Sequence, residues 1–447
     1  MKKRNFLATF TAVAVAASMF SAAAMTADAA NTYIPTAGGT TSFDKYLVMD
    51  ENANVPNVSF EYTVTAGKAQ TFSANDKTIA VYAGPSPEKI AFSGEDISDE
   101  TTADSKFEIA FAQGDTTVTQ AAKTTDETNT DNVKNLDAGE KYAKKTAKLD
   151  FSEVKFDEPG IYRYIITETQ GDAQGITYDA DATRILDVYV VNDTENENAL
   201  TVSSYVLHAT DGTITIDGET YGSDGNVIST TNDEDDKTDA KSQGFTNEYT
   251  SHDLTFSKTV AGNQGSKDKY FAFTVTIENA VKGTVYDVSY ADDNNANTTD
   301  GNADSSIKAN PNSATTVITA AVTQPAILTV GEDGTVTQTF YLQHNQKIAI
   351  RGLADGTKYT ITDGKEDYAA AYTTNDDKDT TAVKADVASN ITGIAQEVTV
   401  DFTNTREGII PTGILLSVAA PVVIGVVVLA GIVFLVVRNK KRDAEED

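Results

Sequence analysis

The sequence predicts an all-β protein whose body consists of two tandem domains. Short runs rich in Thr, Val, Ile, Tyr and Phe, broken by Gly, Asn and Asp, fill residues 31–404, and no long amphipathic helix interrupts them. A loose internal repeat in this region shows the same landmarks twice, in the same order. Each copy is long enough to form a domain, so we expect two β-sheet domains in series.

The N-terminus is typical of a secretory signal peptide. Basic residues at 2–4 precede an apolar run over 6–19, and Ala27-Asp28-Ala29 provides the small residues of a cleavage site. We therefore predict a signal peptide over residues 1–29 and export of the rest of the chain. Because the chain contains no cysteine, disulfide bonds cannot stabilise the exported domains.

The internal repeat defines the two predicted domains, 30–249 and 250–406. Each copy opens on a lysine, continues with an aromatic strand and an alternating strand that ends in a carboxylate, and closes on Phe-Thr-Asn. The landmark segments are FEYTV (60–64) and FAFTV (271–275), then YRYIITE (162–168) and YTITD (359–363). The Thr-, Asp- and Lys-rich stretches around 98–147 and 211–242 lengthen the first copy, and we expect them to form surface loops or short excursions.

Alternation along the strands places three polar residues of each copy on an apolar stripe. Residues two apart in a strand share a face, so a polar residue that alternates with apolar ones points into the core. The residues concerned are Lys45, Glu168 and Asn247 in the first copy, and Lys258, Asp363 and Asn404 in the second. We therefore expect each domain to bury a lysine, an acid and an asparagine.

Two interpretations of this buried set remain open. Buried ionisable groups are costly unless paired, so one interpretation is a salt bridge that is hydrogen-bonded to the asparagine amide. The other is chemistry, because burial lowers the pKa of a lysine and raises that of a carboxyl, so that both can be neutral. A neutral amine can attack the amide while the protonated acid holds the amide carbonyl and shuttles a proton. Ammonia would leave and a Lys–Asn isopeptide bond would form.

The C-terminus combines three features of a sorting signal. The segment Ile409-Ile410-Pro411-Thr412-Gly413 is similar to the pentapeptide that sortases cut between Thr and Gly in Gram-positive surface proteins. Residues 414–437 carry no charge and would form a membrane-spanning helix of about 36 Å, and the basic tail 438–447 favours the cytoplasmic side. The similarity implies a sortase motif region over 407–413, with a plain single-pass anchor as the alternative.

The landmark segments together resemble a known family. FDKYLVMDENANVPNVSFEYTV, EPGIYRYIITE, FTNEY, SKTVAGNQGSKDKYFAFTV and FTNTREGIIPTG are similar to segments of the two-domain streptococcal T-antigen-type (FctA-like) backbone pilins of sortase-assembled pili. The likeness covers most of the exported chain and the tail. It implies two CnaB-type, immunoglobulin-like β-sandwiches, each with neighbouring first and last strands that a spontaneous Lys–Asn isopeptide bond joins and a Glu promotes.

The resemblance implies particular crosslinks in this chain. They are Lys45–Asn247, promoted by Glu168, and Lys258–Asn404, promoted by Asp363. The second domain departs from the family because Asp363 stands where the family has Glu. Its shorter side chain can serve as the acid only if the strands lie slightly closer together.

The resemblance also implies a polymer. In the family, a lysine shortly before the closing strand of the first domain attacks the sortase-bound threonine of another subunit, here Thr412. Lys241 is nearest to that position, which falls on Ala240, and Lys237 is the substitute. We expect a structural pilin subunit that a sortase joins to copies of itself and to tip and base pilins, anchored to peptidoglycan at the cell surface for adhesion to host surface ligands. A monomeric wall-anchored adhesin or an ancillary pilin with the same modules is the alternative.

Composition argues against several other functions. The chain carries 66 Asp and Glu against 35 Lys and Arg, a net charge of −31, which argues against nucleic acid as a partner. Its histidines, at 208, 252 and 344, lack the spacing of a zinc site or of a Ser-His-Asp triad. The oxygen-rich segment 292–306 does not have the spacing of a calcium loop. We therefore expect no metal, no cofactor and no enzyme activity beyond a single-turnover self-crosslinking reaction.

Overall fold

The structure, a computed structural model, describes most of the predicted two-domain body. The described residues are 33–74, 77–101, 105–120, 136–196, 198–208, 214–216, 219–221, 227–229, 242–292, 306–307, 322–376 and 382–409. The predicted signal peptide and membrane segment lie outside them and stay predictions. Within the described ranges, no helix has the length and apolar character needed to cross a membrane.

The described part of the chain is almost entirely β-structure, which confirms the predicted fold class. Helical structure among these residues is confined to a single turn of 3₁₀ helix, Pro87–Lys89, and the single residue Gln120. The strands of the first domain are β1 Thr36–Ala37, β2 Thr40–Asp50, β3 Val58–Ala66, β4 Gln70–Ala74, β5 Lys77–Ala83, β6 Ala91–Ser93, β7 Ile97–Thr101, β8 Lys106–Phe111, β9 Thr117–Thr119, β10 Glu140–Asp150, β11 Lys155–Phe156, β12 Gly160–Glu168, β13 Ile176–Thr177, β14 Thr183–Asn192, β15 Leu200–His208, β16 Ile214–Ile216, β17 Glu219–Tyr221, β18 Val227–Ser229 and β19 Gly244–Tyr249. Those of the second are β20 Ser251–Ala261, β21 Phe271–Glu278, β22 Val285–Asp292, β23 Ser306–Ile307, β24 Val322–Thr323, β25 Ile327–Thr329, β26 Val336–Leu342, β27 Gln346–Ala354, β28 Lys358–Asp363, β29 Ala369–Thr374, β30 Val387–Asn390 and β31 Val398–Thr405.

The first domain is a sandwich of two sheets. One sheet has the strand order β13-β19-β2-β10-β6, and the other has the order β15-β14-β12-β3-β8-β7. Phe43 on β2 contacts Tyr62 on β3 of the facing sheet, with ring centroids 5.5 Å apart, and both side chains are buried. Aromatic side chains thus fill the space between the sheets and hold the two layers together.

The second domain repeats this arrangement with fewer strands. Its sheets have the orders β25-β22-β27-β20-β31-β29 and β26-β21-β28-β30. Phe273 on β21 lies between Phe256 and Phe402 of the facing sheet, with centroid distances of 5.6 and 5.4 Å. The apolar stripes identified in the sequence therefore face each other across the core of the sandwich.

The first long strand and the last strand of each domain are parallel neighbours, as the resemblance implies. In the first domain β2 pairs with β19, and Lys45 lies opposite Phe245. In the second domain β20 pairs with β31, and Lys258 lies opposite Phe402. Residues far apart in the sequence are thereby brought onto adjacent strands of one sheet.

The prediction of surface loops around residues 98–147 is wrong in two places. Strand β8 pairs with β3 in one sheet, and strand β10 pairs along its whole length with β2 in the other. Phe107, Ile109 and Phe111 alternate along β8, and Ala143 and Ala147 face the core from β10. The high content of Lys and Thr obscured this alternation, because alanines occupy two of the core-facing positions of β10.

The two domains contact each other end to end. The Tyr249 hydroxyl donates a hydrogen bond to the carbonyl of Gly352 at 3.1 Å, and the Asn57 backbone N–H donates to the Thr284 hydroxyl at 3.2 Å. Ala354 of the second domain is fully buried in the core cluster of the first. The junction therefore combines apolar burial with hydrogen bonds and is more than a tether.

Candidate crosslink sites

The structure brings the three predicted polar residues of the first domain together in the core. Lys45 lies on β2, Asn247 on the neighbouring β19, and Glu168 at the end of β12 in the facing sheet. All three side chains are at most 1% exposed. The Lys45 Nζ is 2.5 Å from Glu168 Oε1, and the Asn247 Nδ2 donates to the same oxygen at 3.0 Å. A nucleophile, an acid and an amide thus share one closed space.

Strand register explains why Lys45 and Asn247 meet. Asn247 lies opposite Leu47, two residues beyond Lys45, so the lysine and the asparagine are diagonal neighbours on the same face. Such positions are roughly 7–8 Å apart at their Cα atoms, within reach of a long side chain. The second domain has the same offset, because Asn404 lies opposite Val260, two residues beyond Lys258.

The Asn247 amide has a defined orientation. The backbone N–H of Asp179 donates to it at 2.8 Å. Because a backbone N–H can only donate, the Asn247 atom that it contacts is the carbonyl oxygen, and the amide nitrogen faces Glu168. This differs from the sequence expectation, in which the acid holds the carbonyl. The acid instead contacts the nitrogen that would leave.

Burial and local charge set the protonation of the lysine. Desolvation lowers the pKa of Lys45 to about 8, although the neighbouring Glu168 carboxylate opposes the change. The Phe60 ring, whose centre lies 4.5 Å from the Lys45 Nζ, also favours the charged form because its face attracts a cation. Desolvation is the larger effect, so the neutral amine is far more accessible at physiological pH than in an exposed lysine.

Tyr62 is a member of this site that sequence reasoning missed. Its hydroxyl donates to Glu168 Oε1 at 2.8 Å, so three donors converge on one carboxylate oxygen. Burial raises the pKa of Tyr62 well above its usual value, which keeps the hydroxyl protonated and able to donate. Position 62 is simply part of an aromatic stripe in the sequence, and only the pairing of Tyr62 with Glu168 across the sheet reveals the contact.

We expect Tyr62→Phe to lower the free energy of unfolding by about 1.5 kcal/mol, the usual contribution of one hydrogen bond to a charged group. The aromatic packing of the ring is retained, so the loss isolates the hydroxyl. Chemical denaturation of the recombinant residues 30–412 measures it. Unchanged stability would mean that the other two donors already satisfy Glu168.

The second domain assembles the corresponding residues. The Lys258 Nζ is 2.5 Å from Asp363 Oδ2, and both side chains are buried. Desolvation lowers the pKa of Lys258 to about 8 against the opposing charge of Asp363. Desolvation also raises the pKa of Asp363, against the attraction of Lys258. Both shifts favour the neutral forms of the pair.

The shorter acid makes a less complete site in the second domain. Asp363 reaches Lys258, and the Asn404 amide lies close enough to oppose the rise in the Asp363 pKa. Within the described part of the chain, however, neither amide atom of Asn404 meets hydrogen-bond geometry, and Asp363 Oδ1 also has no hydrogen-bond partner. Phe273 lies opposite Asp363 where Tyr62 lies opposite Glu168, so no hydroxyl donates from that position.

The predicted assembly residues lie outside the described residues. They are the sortase motif residues Ile410, Pro411, Thr412 and Gly413, and the candidate polymerisation lysines Lys241 and Lys237. The last described residue, Ile409, follows the end of β31 by four positions and is 93% exposed. The chain thus leaves the second sandwich only a few residues after Asn404.

Comparison with known proteins identifies the first domain. Residues 88–250 match a family described as the Spy0128-like isopeptide containing domain. The chain contains a Spy0128-like pilin domain. Residues 252–406 match a family described as a domain of unknown function, DUF7601. The resemblance to streptococcal pilins that the sequence indicates is therefore confirmed, and the family match covers Glu168 and Asn247 of the pilin domain.

Individual relatives are similar over larger parts of the chain. A protein named Pilin from Streptococcus pyogenes serotype M1 is 25% identical over 309 residues, which cover 67% of this chain and 73% of that protein. The crystal structure of the major pilin from Streptococcus pyogenes matches with a TM-score of 0.47 and 17% identity, covering 83% of this chain and 100% of that one. The major pilin T3.2 from Streptococcus pyogenes serotype GAS13637 matches with the same TM-score and identity, covering 83% and 99%.

Proposed function

We propose that this protein is a pilus subunit that crosslinks itself through two intramolecular isopeptide bonds, Lys45–Asn247 and Lys258–Asn404. The observation that carries the proposal is the buried set of lysine, acid and asparagine, which occurs in both domains with the same strand offset. A buried salt bridge alone does not need an asparagine diagonal to the lysine on the neighbouring strand, yet both domains have one. The similarity of the first domain to an isopeptide containing family supports the same chemistry.

The reaction in the first domain begins with a proton transfer over the 2.5 Å contact from the Lys45 ammonium to the Glu168 carboxylate. The neutral Nζ then attacks the Asn247 Cγ, and the carbonyl π electrons move onto Oδ1. Glu168 next passes its proton to the amide nitrogen, which it already contacts, and then accepts a proton from the cationic lysine nitrogen, so that the acid ends protonated. The C–N bond breaks, ammonia leaves, and a secondary amide joins the two strands.

The second domain would react in the same way with Asp363 as the acid. Its raised pKa favours the protonated form that the reaction needs, and the lowered pKa of Lys258 favours the nucleophile. The Asn404 amide is not held by hydrogen bonds within the described residues, so it must rotate into place before attack. Each site turns over once, because its product is part of the chain.

Intact mass tests the proposal directly. The recombinant residues 30–412 should be lighter than the sequence requires by two ammonia molecules, one for each bond. Peptide mapping should then recover two branched peptides, one containing Lys45 and Asn247 and one containing Lys258 and Asn404. The full sequence mass would refute the crosslinks and leave two buried ion pairs.

The pH dependence of crosslinking follows from the lysine pKa of about 8 in both domains. The reactive pair holds one proton between lysine and acid. Above about pH 8 the pair loses this proton, leaving a neutral amine beside a carboxylate that cannot protonate the amide nitrogen that must leave. We therefore expect the rate to fall by about tenfold per pH unit above pH 8. Protein from cell-free translation, diluted into buffers of different pH and analysed by mass, measures this rate. A rate that climbs steadily to pH 10 would show that the acid donates no proton.

Assembly of the subunits rests on the C-terminal motif and on the pilin relative. A sortase would cleave between Thr412 and Gly413 and transfer Thr412 to a lysine of a neighbouring copy, with Lys241 as the first candidate. The resulting polymer would carry tip and base pilins and end on peptidoglycan at the cell surface. The short segment between Asn404 and Thr412 would then join each crosslinked sandwich to the next subunit.

A further inference from the structure

The chain segment between β13 and β14 makes an unusual contact with the reacting amide of the first domain. β13 pairs with the closing strand β19 only at Ile176 and Thr177, opposite Tyr249 and Glu248. Continued pairing would bring the next residues level with Asn247, but the strand ends there. The backbone N–H of Asp179 is consequently not used in a strand ladder and donates to the Asn247 side-chain oxygen at 2.8 Å.

The Asp179 side chain anchors this peptide group on both sides. One carboxylate oxygen, Oδ2, accepts a hydrogen bond from Arg184 Nη2 at 2.7 Å and another from the Thr246 backbone N–H at 3.0 Å. Arg184 is itself 8% exposed, bonds the Gly244 carbonyl through Nε at 2.9 Å, and stacks on the Phe245 ring at 4.5 Å. The Asp179 N–H is thereby held next to Asn247, the residue that follows Thr246.

We propose that the backbone N–H of Asp179 is an oxyanion donor for the isopeptide reaction of the first domain. The inference rests on the proposed function. When the Lys45 Nζ attacks the Asn247 Cγ, negative charge develops on Oδ1, the atom that the Asp179 N–H already contacts. A donor placed 2.7–3.1 Å from a developing oxyanion in a buried site stabilises the transition state more than the ground state. Glu168, on the other side of the amide, is free to protonate the leaving nitrogen.

The second domain has no equivalent donor among its described residues. There β29 pairs with the closing strand continuously from Ala369 to Thr374, and Ala370 lies opposite Asn404. In a regular antiparallel ladder the N–H groups of an edge strand point either to the partner backbone or away from the partner strand, and the Asn404 Oδ1 has no hydrogen-bond partner in the described part of the chain. The first domain should therefore crosslink faster than the second.

The test replaces the N–H without altering any side chain. The full chain is made by cell-free translation with the α-hydroxy analogue of aspartate at position 179, so that an ester oxygen stands in place of the N–H. Aliquots are quenched in acid and digested, and the crosslinked peptide of each domain is quantified by mass spectrometry over time. The second domain's crosslink is the internal control, and an ester at Glu195, in an exposed turn of the first domain, controls for the ester itself.

We expect the ester at position 179 to slow the Lys45–Asn247 crosslink by about 10²- to 10³-fold, the usual cost of losing one oxyanion donor. The Lys258–Asn404 rate and the Glu195 ester variant should be unchanged. Asp179→Ala retains the N–H but loses the anchor and a carboxylate charge that raises the pKa of Lys45, so it should lie within about tenfold of the unmodified chain. A first-domain rate within twofold of normal in the 179 ester would overturn the inference while leaving the crosslinks intact. Absence of both crosslinks in the unmodified chain would instead refute the proposed function, and the inference with it.

Discussion

Lys45→Ala is expected to restore one ammonia to the mass of the protein and to lower the free energy of unfolding by about 5 kcal/mol. The bond to Asn247 would close a loop of about 200 residues, and restricting a loop of that length in the unfolded chain stabilises the folded state by about this amount. Lys258→Ala should do the same for the second domain. Intact mass and chemical denaturation of residues 30–412 measure both effects.

Two further variants separate the bond from simple burial of the lysine. Asn247→Ala also prevents the crosslink but retains the Lys45–Glu168 contact, so it should restore the same ammonia and lose most of the same stability. Lys148→Ala removes an exposed lysine on β10 of the same sheet and should change neither quantity. If only Lys45→Ala were destabilising, the loss would come from an unpaired buried Glu168 rather than from a missing bond.

Thr412→Ala is expected to abolish covalent polymer formation on the cell surface. A sortase that recognises threonine at this position would not cleave the variant. The uncleaved subunit forms no acyl intermediate, so it can neither join another copy nor reach the wall. Boiled detergent extracts of cells that express the unmodified chain should show a ladder of high-mass species, and those of the variant should show none. A chain that yields only monomer before any substitution would favour the wall-anchored adhesin instead.

The same extracts assign the polymerisation lysine. Lys241→Arg keeps the charge but removes the nucleophilic amine, so it should eliminate the ladder while leaving both intramolecular crosslinks in place. Lys237→Arg is the matched control, since it makes the same change four residues earlier. Loss of the ladder in the Lys237 variant alone would show that Lys237, and not Lys241, is the polymerisation lysine.

Much of the crosslink geometry could be predicted from residue alternation. The core-facing positions of Lys45, Glu168 and Asn247 follow from their apolar neighbours, because the two-residue period fixes which face each side chain occupies. Which of these side chains meet depends on parallel pairing between strands about 200 residues apart, and alternation carries no information about pairing. The resemblance to pilins supplied that order of strands.

The rest of the site was not readable in the sequence. Tyr62 contributes through its hydroxyl, yet it occupies a position that Phe273 fills in the second domain. Asp179 acts through its main chain, and a backbone N–H has no sequence signature. The orientation of the Asn247 amide depends on that N–H and could not be predicted without it. The lysines of β10 suggest a surface loop, but its alanines face the core.

The parallel first and last strands have a consequence for the extensibility of a fibre built from this subunit. In a polymer joined through Lys241, tension would enter the chain six residues before Asn247, pass along the short connection to Lys258, and cross to Asn404 through the second bond. The residues that the second bond encloses would add on the order of 500 Å of length if they unravelled, at about 3.4 Å per residue. They do not lie on the loaded path, and neither do the residues of the first domain that precede Lys241. Insertions such as those around β16 to β18 can therefore lengthen or shorten without changing how far the subunit stretches.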